Sequence, residues 1–219
     1  WTRPARTKDS GVAWIGEIPE DWEVKKLFGL CYFIRGNSSF SKDELLSYGK
    51  YVALQYGKTY KVDEINEEYN FYVNEEFYKD SQIVNHGDII FISTSETIED
   101  LGHSVFYNKK NLGLLGGEQI LLRPNSNMIN QNYLHFSTKV FSKELRKCAS
   151  GVKVFRFNIN DLKTIYLPVP PIQEQKVIAS HIKNQSTKIN QAINLQQTQI
   201  QKLKEYKTTL IDHAVTGKI

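Results

Sequence analysis

The sequence lacks the residue patterns by which most enzymes and metalloproteins are recognised. Its two cysteines, Cys31 and Cys148, fit no metal-binding spacing and make no disulfide framework. None of its five histidines belongs to an HExxH or HxH pair, and no GxSxG, P-loop or GxGxxG motif occurs. No apolar run approaches the roughly 18 to 20 residues that cross a membrane, and no signal peptide is visible. These absences argue against a catalytic site, a metal centre and a membrane span. They favour a reducing, cytoplasmic setting.

Glycine and proline are also missing from a long stretch near the end of the chain. Neither residue occurs between Pro171 and Gly217. Prolines before the start and glycine after the end are typical helix boundaries, so residues 172–216 are predicted to form one helix. At about 1.5 Å rise per residue it would be roughly 65 Å long, far beyond the average globular helix. Such a helix needs a partner surface for its apolar side.

Apolar residues recur along this helix with the alternating spacing of a coiled coil. Polar residues at Ser186, Gln196 and Lys207 interrupt the series. The pattern favours a helix that pairs with another helix, whereas the alternative is a helix lying on the core of its own domain. The predicted pairing residues are Ile182, Ile189, Ile193, Ile200, Leu203 and Leu210.

The net charge of +4 is unevenly distributed. Residues 172–219 hold seven lysines against three carboxylates, while residues 61–80 hold seven carboxylates against two lysines. This polarity is compatible with a surface that faces a polyanion. Solvated charge unrelated to any partner explains it equally well.

The rest of the sequence predicts an α+β fold. Short apolar and aromatic runs predict strands at residues 30–34, 51–54, 71–73, 89–92, 104–107, 119–123 and 152–157. Helical spacing predicts a helix over residues 130–149 and a short one over 20–27, and glycines predict a turn at 113–117. The expected architecture is a mixed, β-rich globular domain over residues 1–170, followed by the long C-terminal helix over residues 171–219.

Several segments, in order along the chain, resemble the target recognition domain of type I restriction-modification specificity subunits. They are residues 8–22 (KDSGVAWIGEIPEDW), 87–91 (GDIIF), 117–124 (GEQILLRP), 167–179 (LPVPPIQEQKVIA) and 214–219 (AVTGKI). The family's typical subunit has two recognition domains and two long helices, whereas this sequence has one of each. It therefore resembles either a natural half-subunit or a fragment of a full one, and its first residue, Trp1, leaves the natural start open.

The resemblance implies a non-catalytic, DNA-binding role in a larger complex. Methyltransferase subunits would bring S-adenosylmethionine and adenine N6 chemistry, and restriction subunits would bring ATP, Mg²⁺ and cleavage, so no cofactor is expected in this chain. Two copies, or two different halves, would pair through an antiparallel coiled coil and read a bipartite site in double-stranded DNA. A twofold pair would read an inverted repeat. The site sequence and gap length stay open.

Base-reading residues are expected on polar loops of the globular domain. Lys153 and Arg156 are predicted as basic residues of one strand, suited to phosphate or guanine contacts. Ordinary solvated surface is the alternative for every candidate, and Tyr56 is equally compatible with the core. The candidate DNA-binding residues are Arg35, Asn37, Gln55, Tyr56, Lys58, Ser93, Thr94, Ser95, Lys153 and Arg156.

One alternative from another class remains. The chain would then be a structural or interaction protein in which a coiled coil joins β-rich heads without any role for DNA. The balanced charge of residues 1–171, with 21 basic and 21 acidic side chains, mildly favours it. Binding to DNA that weakens steeply with salt would distinguish the two, because only phosphate contacts release counterions.

Overall fold

The computed structural model describes residues 6–218 and divides the chain into two compact units, Trp1–Val177 and Ile178–Ile219. The outer limits of the predicted domains, residues 1 and 219, lie outside the described residues. The first unit is a mixture of short strands and helices, and the second is a continuation of the last helix. The predicted α+β class with a long C-terminal helix is confirmed.

The described strands, numbered along the chain, are β1 Thr7–Asp9, β2 Glu17–Pro19, β3 Glu23–Lys26, β4 Cys31–Arg35, β5 Tyr51–Leu54, β6 Glu64–Ile65, β7 Tyr72–Val73, β8 Ile83–Val84, β9 Ile89–Ile92, β10 Thr94–Ser95, β11 Ser104–Tyr107, β12 Gly113–Leu115, β13 Gln119–Pro124, β14 Phe155–Arg156 and β15 Tyr166–Val169. The α-helices are α1 Tyr56–Thr59, α2 Gln131–Lys147, α3 Ile159–Thr164 and α4 Ile172–Val215. Short 3₁₀ turns occur at Leu27–Gly29, Glu75–Phe77 and Asp80–Gln82.

Two sheets build the core of the first unit. The larger has the order β4-β13-β9-β11-β6 and the smaller the order β7-β5-β12-β8. Pairing is antiparallel except between β11 and β6 and between β12 and β5. Strand β9 is buried along its whole length, with all four side chains of Ile89–Ile92 at 0 % exposure. It therefore reads as a continuous apolar run rather than an alternating one, as expected for a strand covered on both faces.

Side chains from both sheets meet in one apolar cluster. The larger sheet contributes Ile90, Val105 and Leu121, and the smaller contributes Leu54 and Leu115. Burying each such side chain contributes roughly 1.5–3 kcal/mol. This shared core fixes the register in which the strand ends meet, and the strand ends position the candidate site.

Helix α2 packs on the larger sheet. The Asn130 side chain begins it by accepting hydrogen bonds from the backbone nitrogens of Asn132 and Tyr133, at 3.0 and 3.1 Å. The ring of Phe141 stacks on that of Phe91 in β9, with their centroids 5.9 Å apart. The polar cap and the buried aromatic together explain why the predicted helix forms within two residues of its expected limits.

The start of α4 is anchored in the first unit. The Gln175 side chain is 1 % exposed. Its Oε1 accepts a hydrogen bond from the Asn130 nitrogen at 2.7 Å, and its Nε2 donates to the Pro170 oxygen at 2.8 Å. The Trp22 ring nitrogen donates to the Glu174 carboxylate at 3.0 Å. These contacts fix the first turn of the helix on the globular unit.

The long helix forms as predicted. Most of its side chains in the second unit of the chain are exposed. Helix α4 has 44 residues. Of the predicted pairing residues, Ile182 is half-buried and the other five are between 47 % and 66 % exposed. These five side chains form an apolar stripe that is not buried by the rest of the described chain. Its pairing in a coiled coil stays a prediction.

Two strand and turn predictions are wrong. Residues 113–117 are not simply a turn, because Gly113–Leu115 forms the buried strand β12 between β5 and β8. A Cβ on Gly113 would lie 3.0 Å from the Tyr107 ring, so this glycine permits close packing within a sheet. Residues 152–157 form a strand only at Phe155–Arg156, since Ser150 and Arg156 pair with each other and close a loop over the intervening residues.

The predicted short helix over residues 20–27 is also absent. Glu23–Lys26 is strand β3, which pairs with β15 in the register Val24 to Pro168 and Lys25 to Leu167. The helix-compatible local sequence is overridden by pairing with a strand that lies far along the chain. This pairing brings the amino-terminal segment next to the start of α4.

Candidate nucleic-acid interface

A cleft of about 320 Å³ lies where several strands of the first unit end. Arg35 is the last residue of β4 and lies opposite Ile120 at the beginning of β13. Ser93 follows β9 directly, and Thr94 pairs with Arg156 of β14. The cleft is lined by Arg35, Ser93, Thr94, Glu118, Ile120, Ser150, Arg156, Phe157, Asn158, Ile159 and Asn160. Four of the ten predicted DNA-binding residues therefore share one surface.

The floor of the cleft is held rigidly by the core beneath it. The Phe157 nitrogen donates to the Ser93 oxygen at 3.2 Å, and the Phe157 ring packs edge-on against Phe91 with centroids 6.2 Å apart. Asn158 then caps α3, because its side chain accepts hydrogen bonds from the backbone nitrogens of Asn160 and Asp161. These contacts anchor Phe157 and Asn158, the two residues that directly follow β14, and so hold the β10–β14 pair in place beside the cleft.

Two guanidinium groups reach this cleft without a protein partner. Among the described residues, neither the Arg35 nor the Arg156 side chain makes a hydrogen bond or ion pair within the protein, and both residues are exposed. Arg123 differs, because its guanidinium donates hydrogen bonds to the Asp88 carboxylate and to the Ile83 oxygen. Arginine offers a planar set of five donors that matches phosphate oxygens and the guanine edge. The cleft therefore has two free cationic donors.

Glu118 completes the cleft and was missed by the sequence analysis. Its Oε2 accepts a hydrogen bond from the Thr94 hydroxyl at 2.7 Å, and its backbone oxygen accepts one from the Ser93 hydroxyl at 3.0 Å. Its backbone φ of 57° lies in the left-handed region. In the sequence, Glu118 follows Gly116 and Gly117 between two apolar runs. This local pattern does not predict that its carboxylate lines the same cleft as Arg35 and Arg156.

Three other predicted residues have side chains that are engaged in contacts within the protein. The Tyr56 hydroxyl donates to the Thr94 oxygen at 3.0 Å, and partial burial raises the pKa of Tyr56. Gln55 caps α1 by accepting a hydrogen bond from the Lys58 nitrogen at 3.2 Å. The Lys58 ammonium lies 4.4 Å from the centre of the Phe71 ring. The predicted polar turn is thus a capped helical turn, and Tyr56 supports the strand that carries Thr94.

Two further predicted residues, Ser95 and Asn37, lie outside the cleft. Ser95 is 3 % exposed and accepts a hydrogen bond from the Thr97 nitrogen at 3.2 Å, so its side chain serves the local turn. Asn37 is exposed, and its backbone is tied to the Gln82 side chain and to Lys79. Neither residue lines the cleft. Both predictions remain untested as DNA contacts.

Lys153 and Arg156 do not share a strand, which corrects their predicted arrangement. Arg156 lies in β14, while Lys153 lies in the exposed bend that the pairing of Ser150 with Arg156 closes. Gly151 takes a φ of 115° to make this bend. The two basic side chains therefore come from different local structures, and only Arg156 lines the cleft.

Two features are absent from the described part of the chain. Residues 6–218 contain no group of three or more His, Cys, Asp or Glu side chains arranged to hold a metal ion. No helix among them is long and apolar enough to cross a membrane. The cleft brings together two arginines, hydroxyl groups and one carboxylate.

Comparison with known proteins identifies the family. The family model described as the type I restriction modification DNA specificity domain matches residues 19–205. The chain belongs to this family. The match covers the first unit from the end of β2 onward and most of α4, so the cleft and most of the long helix are part of the specificity domain.

Named relatives agree with this assignment. A protein of Methanocaldococcus jannaschii, provisionally named as the specificity subunit of type I restriction enzyme MjaX, is 28 % identical over 213 residues, which are 94 % of this chain and 45 % of that protein. The specificity subunit of type I restriction enzyme EcoKI from Escherichia coli is 21 % identical, over 93 % of this chain and 44 % of that protein. The chain therefore spans slightly under half the length of these relatives.

A solved structure shares the fold. It comes from work on complex assembly and conformational transition of the type I R-M system. One of its chains superposes with a TM-score of 0.71 at 18 % identity, over 90 % of this chain and 46 % of that chain. At this level of identity the likeness shows the fold of the specificity domain. It places no DNA-contacting residue in this chain.

The segments that carry the family resemblance turn out to hold the scaffold together. Asp88 and Arg123 come from two such segments and form an ion pair at 2.7 Å. Trp22 and Glu174 come from two others and are joined by a hydrogen bond of 3.0 Å. Among the cleft residues, Arg35 and Arg156 lie outside these segments and Glu118 lies within one. The specificity domain thus combines a shared scaffold with a cleft built largely from other residues.

Proposed function

We propose that this specificity domain recognises double-stranded DNA as part of a type I restriction-modification complex, and that it reads one half of a bipartite site through the cleft. The observation that carries this proposal is the pair of unpartnered guanidinium groups, Arg35 and Arg156, on one cleft of a family member. Phosphate contacts position such a protein on the duplex, and contacts to base edges supply its specificity. The cleft offers donors for both.

In this role the chain performs no chemistry itself. Its tasks are to bind, orient and hold the DNA for partner subunits, and the chemistry of S-adenosylmethionine, ATP and Mg²⁺ belongs to the methyltransferase and restriction subunits. An adenine inside a duplex is inaccessible to a methyltransferase until it leaves the stack. A specificity subunit contributes by fixing the position at which that event takes place.

The exposed helix supplies the second half of the proposal. Its apolar stripe, from Ile182 to Leu210, pairs with the equivalent helix of a second copy or of another specificity half. Helical pairing through such a stripe removes apolar side chains from water. The paired helices then separate the two recognition units by a set distance, and two identical units would read an inverted repeat.

The experiment compares DNA binding by the wild-type chain with Arg35→Ala and Arg156→Ala. Binding to fluorescent duplex DNA of mixed sequence is measured by anisotropy between about 50 and 200 mM salt, with and without the methyltransferase subunit. We expect each variant to bind roughly 5- to 100-fold more weakly, since a good arginine contact is worth about 1–3 kcal/mol. A residue that contacts phosphate would also lower the salt slope by about one.

Arg6→Ala is the matched control, because Arg6 is an exposed arginine outside the cleft. It should bind as the wild type does. A DNA affinity that does not change with salt concentration, or wild-type affinity in both cleft variants, would contradict the proposal. Salt-independent association of the chain with proteins alone would instead support the interaction-protein alternative.

A further inference from the structure

Glu118 has a charge of the wrong sign for a surface that only holds phosphates. It lines the same cleft as Arg35 and Arg156, where a carboxylate repels the DNA backbone at short range. It is also the single non-glycine residue in the described chain with a positive φ. Unfavourable backbone conformations of this kind persist where the surrounding structure enforces them, often at functional sites. Both features call for an explanation beyond scaffolding.

The carboxylate is held in place but only partly satisfied. Thr94 donates to Oε2 at 2.7 Å, and Ser93 holds the Glu118 backbone oxygen through its hydroxyl at 3.0 Å. No Arg35 or Arg156 nitrogen lies within 4.0 Å of the carboxylate. Within residues 6–218, its other oxygen accepts no hydrogen bond from the protein. The cleft therefore presents an acceptor held by Thr94, together with two guanidinium donors that do not neutralise it by direct contact.

We propose that Glu118 is a specificity-determining residue that accepts a hydrogen bond from the exocyclic amino group of a base in the major groove. The partner is an amino donor, the N4 of cytosine or the N6 of adenine, and this inference rests on the proposed DNA-binding function. Phosphate oxygens, guanine O6 and N7, and thymine O4 are acceptors, which an ionised carboxylate repels. Glu118 thus selects by rejection as well as by attraction.

Arg35 and Arg156 make such a carboxylate tolerable near DNA. They hold the neighbouring phosphates or guanine edges, while Thr94 keeps the Glu118 side chain from turning towards either guanidinium. The left-handed backbone at Glu118 aims the side chain, since rotation to an ordinary φ would break the bonds to Ser93. The cleft then distinguishes base pairs by the position of their amino group.

The unusual backbone also supplies a variant that keeps the fold. Glycine adopts positive φ without steric cost, so Glu118→Gly removes the carboxylate while relieving the backbone. Glu118→Gln keeps an oxygen for Thr94 and replaces the other by an amide donor. Glu68→Gln is the matched control, since Glu68 is an exposed carboxylate outside the cleft and loses the same charge. Thermal melting verifies that all three variants fold.

The test selects bound duplexes from a library with about 30 randomised base pairs, using the wild-type chain and each variant, and sequences the bound fraction. We expect the wild-type motif to contain one position that requires cytosine or adenine on a given strand. Glu118→Gly should lose the preference at that position alone, by roughly 5- to 100-fold. Glu118→Gln should favour adenine there, because an amide pairs with both N6 and N7 of adenine.

A second arm identifies the amino donor. If the selected base is adenine, a duplex with unsubstituted purine at that position lacks only the N6 amino group. The wild-type chain should bind it more weakly by the same factor, and Glu118→Gly should not distinguish the two duplexes. If the base is cytosine, replacement of its amino group by hydrogen gives the same comparison.

The outcomes separate this inference from the proposed function. A wild-type motif that both Glu118 variants reproduce at every position would overturn the role of Glu118 and leave DNA recognition intact. A wild-type chain that enriches no motif and binds independently of salt would overturn both. Loss of preference at several positions at once, shared with Glu68→Gln, would also count against Glu118, because it would show a general charge effect.

Discussion

The ion pair between Asp88 and Arg123 connects the two sheets of the specificity domain. The Asp88 side chain is 3 % exposed, and its Oδ2 lies 2.7 Å from Arg123 Nη2. Arg123 Nε donates to Oδ1 at 3.0 Å, and Nη2 also donates to the Ile83 oxygen in β8 at 2.8 Å. Because Arg123 belongs to β13 and Ile83 to the other sheet, one guanidinium joins both. Removal of the Arg123 guanidinium should therefore lower the free energy of unfolding of the first unit.

We expect Arg123→Met to lower the free energy of unfolding at pH 7 by about 3 kcal/mol. Breaking a buried ion pair on one side typically costs about 3–5 kcal/mol, and the lower end applies because the Arg123 side chain is 31 % exposed. Burial raises the pKa of Asp88, while hydrogen bonds from Arg123 and the Asn85 backbone oppose that rise. Without Arg123 the pKa of Asp88 rises further. An ionised Asp88 then disfavours the folded state above that pKa, so the deficit should shrink as the pH falls through it.

Urea unfolding followed by tryptophan fluorescence measures this, since Trp14 and Trp22 both lie in the first unit. Adding Asp88→Asn to Arg123→Met removes the stranded charge and should recover at least about 1 kcal/mol. Arg146→Met is the control, because the Arg146 side chain makes one hydrogen bond to the Leu101 oxygen at 3.2 Å and no ion pair with any of residues 6–218. Equal losses in the two arginine variants, or a double variant no more stable than Arg123→Met, would refute the reasoning.

Three further predictions concern other parts of the chain. Burial lowers the pKa of His135 from 6.5 to about 4, so the fold disfavours the charged ring and loses up to about 3 kcal/mol as the pH falls between those values; His135→Phe should flatten this part of a plot of urea stability against pH. Gln175→Ala leaves the Asn130 nitrogen without its acceptor and should lower the free energy of unfolding by about 1–3 kcal/mol in the same assay. Gln175→Glu should also be less stable than the wild type, because it places a carboxylate against the Pro170 oxygen. Ile200→Asp should weaken self-association in light scattering by at least about 100-fold, which corresponds to about 3 kcal/mol; Leu195→Asp, which projects roughly 140° away on the same helix, should have no effect, and equal effects would contradict the predicted stripe.

Much of the fold follows from local sequence patterns. The long helix was predictable because residues 172–216 contain no helix breaker, and the buried strand at Ile89–Ile92 because four apolar residues follow the turn residues Gly87 and Asp88. Patterns failed where a distant segment decided the local conformation. The segment Glu23–Lys26 became a strand only because β15 pairs with it, and Gly113–Leu115 became one because β5 and β8 flank it.

The candidate site shows the same limit more sharply. Arg35, in a loop after one predicted strand, and Arg156, within another, were reasonable candidates as basic residues, but residue type alone could not distinguish them from Lys58, whose side chain is occupied locally. Their value as a group depends on which side chains remain without a protein partner. That property exists only once the whole unit has folded.

The sequence by itself determined the α+β class, the long helix with its apolar stripe and the family, because helix breakers, apolar periodicity and ordered motifs are all local along the chain. The tertiary structure alone decided the cleft. Residues from β4, β10, β14 and the turn before β13 meet there because the registers of the sheets bring their ends together. The left-handed backbone of Glu118 is likewise enforced by Ser93 and Thr94, which lie about 25 residues earlier in the chain. Contacts between residues so far apart in sequence arise from the packing of the shared core, which no local pattern encodes.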